Sequence, residues 1–244
     1  LMKLRLSIHD IERITAVDIQ TDATFRPNTA IQELIDYDES SFVVKSPTTA
    51  KYILSKVSKP ETIIAALFSL AEFASTYSDS PKYFSVLTAV ISYSHLNSFF
   101  RDFDNSEELL TNYYDSVSGI DYYSSNHFFW LQYAISCIEV ESYQRAQKYL
   151  DTAYGLIPKN FNPFQINNQQ ARLYLEKIVT NKSTDVLEDY KVAHKLLMLP
   201  ITSVKDNEYN VVRLFGYYCR KKFRDSIVKN DCTEFHKQAC GEAY

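Results

Sequence analysis

Glycine is the residue this chain almost does without. Only four of its 244 residues are glycine, against roughly 7% in an average protein. Phosphate-cradling loops, nucleophile elbows and tight β-hairpins need glycine for positive φ or for close backbone approach. The sequence therefore argues against nucleotide binding and hydrolase folds within this chain. Long helices joined by short turns suit it better, with seven prolines as punctuation. At 45% hydrophobic residues, the chain is long enough for one large helical domain or two small ones.

From Pro60 onward the apolar residues recur with a helical period. Pro60-Glu61 opens a run with Ile63, Ile64, Leu67, Leu70, Ala71 and Ala74 on one face. Pro81 is expected to restart a helix through Phe84, Leu87, Ile91, His95 and Phe99. Ser106-Glu107-Glu108, with acids in the first turn, predicts a third through Leu109, Leu110 and Tyr113, ended by Gly119. The 19 tyrosines and 15 phenylalanines read as knobs filling the space between stacked hairpins.

The first sixty residues differ in kind. Leu4-Arg5-Leu6-Ser7-Ile8 alternates like a half-buried strand. Ser41-Phe42-Val43-Val44-Lys45 is a short β-branched run, and Ser46-Pro47 is a helix start with Ser46 as N-cap. Thr48 to Val57 then reads as a helix. Between the two strand-like runs lies an irregular acidic loop with Asp36, Asp38 and Glu39. Residues 1–58 are therefore expected to form either a winged-helix-like lobe or an irregular cap on a helical array that occupies 59–244.

One stretch carries a recognisable pattern. Trp130, Tyr133-Ala134, Cys137, Ala146, Leu150, Ala153 and Pro158 follow the spacing of the tetratricopeptide repeat, a helical hairpin of ~34 residues. Residues 127–160 resemble one such unit, with Cys137 where the family has an aromatic. The residue sizes make physical sense, because Ala134 and Ala146 are small where two helices cross closely. Trp130, Tyr133 and Leu150 are large where a hairpin must fill the gap to its neighbour. A degenerate second unit follows. Asn167 to Ile178 offers a first helix with Ala171 as its small residue and Tyr174 following. Asp185 to Leu199 offers a second, with Val186, Tyr190 and Ala193 echoing Ala146, Leu150 and Ala153 at a shift of 40. Tyr209 to Asp225, with Gly216 as the small residue, reads as a third first helix. The expected fold is all-α, a right-handed superhelix of tetratricopeptide-like hairpins behind a small irregular or winged-helix-like amino-terminal segment.

The resemblance extends further. The runs Phe128-Phe129-Trp130-Leu131-Gln132-Tyr133-Ala134, Ala146-Gln147-Lys148-Tyr149-Leu150 and Phe164-Gln165-Ile166-Asn167-Asn168-Gln169-Gln170-Ala171-Arg172-Leu173 are similar to the carboxy-terminal sensor region of bacterial signal-transducing (STAND-type) NTPases and related anti-phage defence proteins. Phe42-Val43-Val44-Lys45-Ser46-Pro47 resembles the winged-helix segment that follows the ATPase core in that family. The resemblance implies a recognition module of a larger protein whose nucleotide site lies upstream. The opening Leu1-Met2 is also expected of an excerpt from a longer chain. No Walker motif is present, so no catalytic residue is carried over.

Several residue groups are candidates for chemistry. Asn167, Asn168, Gln170 and Arg172, with Gln169, form a dense polar block opening a helix. They read either as a surface for a peptide backbone or terminal carboxylate, or as a helix cap that crosses to the neighbouring hairpin. Arg220, Lys221 and Lys222, within the basic 213–229 stretch, are interleaved with Phe215, Tyr217, Tyr218 and Phe223. That is either a nucleic-acid groove or the solvated face of an amphipathic helix. Cys232, His236 and Cys240 line one helical face, with Cys219 as a potential fourth ligand. Structural zinc sites show tighter paired spacing, so these read as reduced thiols and no metal is expected.

Neither a Ser/His/Asp nor a Cys/His arrangement singles out a nucleophile, and the chain is not expected to be an enzyme or to hold a cofactor. The net charge of −4 gives no general attraction to phosphate backbones. The longest apolar runs fall far short of the roughly 20 residues of a membrane span. Four cysteines without a CxxC pair, and no signal peptide, point to the cytoplasm. The expected function is a non-catalytic protein-binding or sensor module for a protein or peptide partner, with self-association open. A nucleic-acid-binding helical repeat using the basic 213–229 helix is the alternative.

Overall fold

The structure is a computed structural model that describes residues 6–16, 33, 35–37, 41–197 and 216. The chain is predominantly α-helical, and among the described residues its strands are confined to the amino-terminal segment. It divides into two compact units, residues 1–132 and 133–244.

The first unit begins with β1 (Leu6–Ser7), α1 (Ile8–Thr15), β2 (Ile35–Tyr37) and β3 (Ser41–Val44). The strands form an antiparallel sheet in the order β1-β3-β2, with Leu6 opposite Phe42 and Ile35 opposite Val44. The alternation expected through Ile8 stops one residue early because Ser7 caps α1. Its Oγ accepts from the Asp10 N–H at 3.2 Å, and Asp10 Oδ2 accepts from the Ser7 N–H at 3.0 Å. This reciprocal capping box satisfies two donors that would otherwise be orphaned at the helix start. α2 (Pro47–Val57) begins as its sequence predicts, with Pro47 in the first turn and Ser46 Oγ accepting from the Thr49 N–H at 3.3 Å.

α3 (Pro60–Ser75) follows at Pro60, again as expected. The single helix expected from Pro81 is broken in two. A 3-10 turn (Pro81–Tyr83) leads into α4 (Phe84–Ala89), and α5 (Tyr93–Phe100) starts afresh. The reason lies in α6 (Ser106–Val117). Tyr113 donates its hydroxyl to the Val90 carbonyl at 2.9 Å, and Tyr114 donates to the Ile91 carbonyl at 2.8 Å. Two adjacent phenols thus take over carbonyls that a continuous helix would have bonded internally, which lets the chain turn while buried. The apolar period runs on across this break because Val90 and Ile91 are both fully buried.

α7 (Asp121–Ser124) and the start of α8 (His127–Glu139) complete the unit. Tyr123 donates to the Ala71 carbonyl and the Trp130 indole to the Ser124 carbonyl. The tyrosine-rich composition therefore serves backbone satisfaction as well as volume.

The second unit contains the rest of α8, then α9 (Tyr143–Gly155), α10 (Phe164–Val179) and α11 (Val186–Leu197). Two helical hairpins result, α8/α9 and α10/α11. Their turns are the same turn. Glu141 and Asn181 both adopt left-handed backbone, with φ of 56° and 60°. The Glu141 N–H bonds the Ile138 carbonyl and the Ser142 N–H the Cys137 carbonyl. Likewise the Asn181 N–H bonds the Ile178 carbonyl and the Lys182 N–H the Lys177 carbonyl. Each is a Schellman closure, a favoured way to end a helix when the next residue enters the left-handed region. Neither left-handed position is a glycine.

Within the hairpins, Tyr133, Ala134, Cys137, Ala146, Leu150 and Ala153 are all buried, as their spacing demands. Ala171, Leu175, Ile178, Tyr190, Ala193 and Leu197 form one core cluster between α10 and α11. The expected helix at Tyr209–Asp225 lies outside the described residues, except that Gly216 is helical and buried. No described helix is long and apolar enough to cross a membrane.

Candidate functional site

α10 carries the polar block, and its 3.6-residue period sorts that block onto two faces. Asn167 and Gln170 fall with Ala171 on the inner side and are buried, at 8% and 6% exposure. Asn168, Gln169 and Arg172, with Gln165 and Glu176, occupy the other arc and keep part of their surface in solvent. The four adjacent amides are therefore not one surface.

The inner face makes a polar seam with α9. Gln170 Nε2 donates to Gln147 Oε1 at 2.6 Å, and Gln147 Nε2 donates back to Gln170 Oε1 at 3.1 Å. Gln147 Nε2 also lies 2.8 Å from Asp151 Oδ1. This reciprocal amide pair fixes the register of two helices, because a slip would strand buried donors and acceptors. Burial, reinforced by Asp189 and Asp151, pushes the nearby Tyr174 phenol above its ordinary value, partly offset by a hydrogen bond with Gln170.

On the outer face, Arg172 Nη2 meets Glu139 Oε1 of α8 at 2.5 Å and Glu176 Oε1, one turn along α10, at 3.8 Å. Both carboxylates belong to the same surface, and the sequence reading missed them. Glu176 was legible as the i+4 neighbour of Arg172, but Glu139 comes from another helix and has no local signal. The Asn168 and Gln169 amide oxygens find no hydrogen-bond partner among the described residues. Both oxygens are themselves buried, so they are unsatisfied acceptors shut away from solvent rather than presented at the surface.

A second polar group stiffens the α8/α9 hairpin. The Tyr133 and Tyr149 rings stack with centroids 4.2 Å apart, and the Arg145 guanidinium donates to both hydroxyls, at 3.1 Å to that of Tyr149. At the turns, Tyr143 and Thr180 share a hydrogen bond of 3.1 Å, and Lys182 pairs with Glu141 at 2.8 Å. Consecutive hairpins are thus linked at the turn as well as through the core.

Arg220, Lys221 and Lys222, and the whole basic 213–229 stretch apart from Gly216, lie outside the described residues. So do Cys219, Cys232, His236 and Cys240. Among the described residues no group of three or more His, Cys, Asp or Glu side chains is placed to hold a metal ion. Cys137 is buried in the α8/α9 hairpin and forms no disulfide. Comparison of the chain with protein-family models, with curated proteins and with solved structures returns no match.

Proposed function

We propose that this chain is a non-catalytic protein-binding module whose recognition surface is the outer face of α10. The observation that carries this reading is Arg172, held between the carboxylates of Glu139 and Glu176 from two different helices on a partly exposed face. A peptide partner with a basic side chain fits this face, because Glu139 and Glu176 offer it carboxylates in place of Arg172. The repeated turn at Glu141 and Asn181 supports the reading of the hairpins as members of a tetratricopeptide-like array, stacked as a right-handed superhelix. The strand order β1-β3-β2, with α1 between the first and second strands, supports the winged-helix reading of the amino-terminal segment.

On the resemblance set out above, the module is the sensor region of a bacterial signal-transducing or anti-phage defence NTPase acting in the cytoplasm. The test is affinity capture from phage-infected and uninfected bacterial extracts. The wild-type chain is compared with Asn168→Lys and with Arg172→Glu, each first shown to keep its helical content. A protein retained by the wild type and lost from both variants is the expected result. Identical captures by all three chains would overturn the assignment of the surface to α10.

A further inference from the structure

The amino-terminal lobe holds its own small apolar cluster, Ile8 with Ile11 and Ile35 packed against it. Its links to the helices beyond the sheet have a different character. α1 packs against α3, and its outward-reaching side chains are charged. Asp10, only 5% exposed, accepts from Lys82 Nζ at 2.7 Å through Oδ2 and from the Tyr83 hydroxyl at 2.7 Å through Oδ1. One turn along, Arg13 Nη1 donates to the Tyr77 hydroxyl at 2.6 Å, with its guanidinium 5.8 Å from that ring's centroid.

The partners of these contacts form an aromatic group. Tyr77 lies 5.1 Å from Phe73 and 5.4 Å from Tyr83 between ring centroids, and Phe73 meets Tyr83 edge-on at 5.6 Å. Asp10 and Arg13 of α1 thus both fasten onto an aromatic cluster. The lobe's own apolar residues gather around Ile8 instead.

We propose that α1 is a releasable lid over the Phe73–Tyr77–Tyr83 cluster, with Asp10 as its ionic latch. Only one end of this pair is buried: the Asp10 carboxylate lies inside the contact, while the Lys82 side chain keeps about half of its surface in solvent. Removing Lys82 leaves the buried carboxylate without its counter-charge, held by the Tyr83 hydroxyl and the Ser7 N–H, which favours opening of the contact. A lobe with its own apolar cluster can lift without dissolving, hinged where β3 ends and Ser46 caps α2. Lifting it bares the ring of Tyr83, now buried, and creates an aromatic platform that the closed form hides.

The experiment is hydrogen–deuterium exchange on the full chain, comparing wild type with Lys82→Met. That substitution removes the latch partner but leaves the Ser7–Asp10 capping box intact. Exchange across residues 8–15 is expected to quicken about tenfold or more, with α6 unchanged, as for a locally opening unit. Binding of an environment-sensitive hydrophobic dye is expected to rise with it. Tyr83→Phe, which keeps the ring and removes one hydrogen bond, should produce a smaller change in the same peptides. Unchanged exchange in 8–15 would overturn the latch. Quickening of α6 by the same factor would also overturn it, because the lobe would then unfold with the unit rather than open from it.

Discussion

Glu141 and Asn181 stand forty residues apart in the same left-handed backbone conformation, each closing the first helix of a hairpin with the same pair of hydrogen bonds. The two hairpins therefore share the same turn, although their side-chain patterns differ. Between the turns the register drifts. Ala134 precedes Glu141 by seven positions, whereas Ala171 precedes Asn181 by ten. Ala171 accordingly packs with Ala193 and Leu197, farther from the turn.

Left-handed backbone is strained for a residue with a β-carbon, and most for a β-branched one. Glu141→Val and Asn181→Val should each lower stability by about 1–2 kcal/mol. Glycine at either position should be neutral or stabilising by about 0.5 kcal/mol, since relief of strain outweighs the added freedom of the unfolded chain. The Glu141–Lys182 pair is about half exposed on both sides and contributes little to this balance. Urea midpoints for the four variants check the prediction.

Gln147 and Gln170 should behave as a unit. Gln147→Leu or Gln170→Leu alone breaks both bonds of the reciprocal pair, leaving Gln170 with Tyr174 or Gln147 with Asp151, and should cost about 1–2 kcal/mol. The double leucine variant should recover most of that loss, giving a coupling energy of about 1 kcal/mol or more in a double-mutant cycle. Additive losses would mean that the two amides act separately.

Tyr113 and Tyr114 are expected to matter through their hydroxyls. Replacing either by phenylalanine keeps the ring but orphans a buried carbonyl, at Val90 or Ile91. Each change should destabilise the chain by about 1–2 kcal/mol. Thermal melts of the two variants, and of the pair together, measure it.

Asp10 makes stability depend on acid pH. Burial alone would raise its carboxyl, but hydrogen bonds from Lys82, Tyr83 and Ser7 together lower it from 3.8 to about 2. A depressed folded-state value means that the unfolded chain binds the proton more tightly. The contribution is thus complete above about pH 4 and lost as the pH falls toward 2, on the order of 2 kcal/mol in all. Denaturation midpoints from pH 5 to pH 2 should fall less steeply in Asp10→Asn than in wild type.

Element positions were largely legible in the sequence because their signals are local. Ser46-Pro47, Pro60-Glu61 and Ser106-Glu107-Glu108 each start a helix where caps and first-turn acids predict one. The break at Val90–Ser92 was not legible, since it depends on phenols more than twenty residues away, and the apolar period continues across it. The polar block on α10 was visible as a cluster but not as two faces. The seam with Gln147 and the bridge from Glu139 are contacts between helices, and no spacing rule along one helix encodes them. The left-handed turns were hidden for a simpler reason. Glutamate and asparagine stand where glycine would have announced them.

The most direct test of the binding account is a hydrogen–deuterium exchange footprint of the chain with and without the protein it captures. Protection centred on residues 164–176 of α10, together with the Glu139 end of α8, is the predicted result. A footprint that leaves α10 unchanged, or a chain that captures nothing from infected or uninfected extracts, would contradict it.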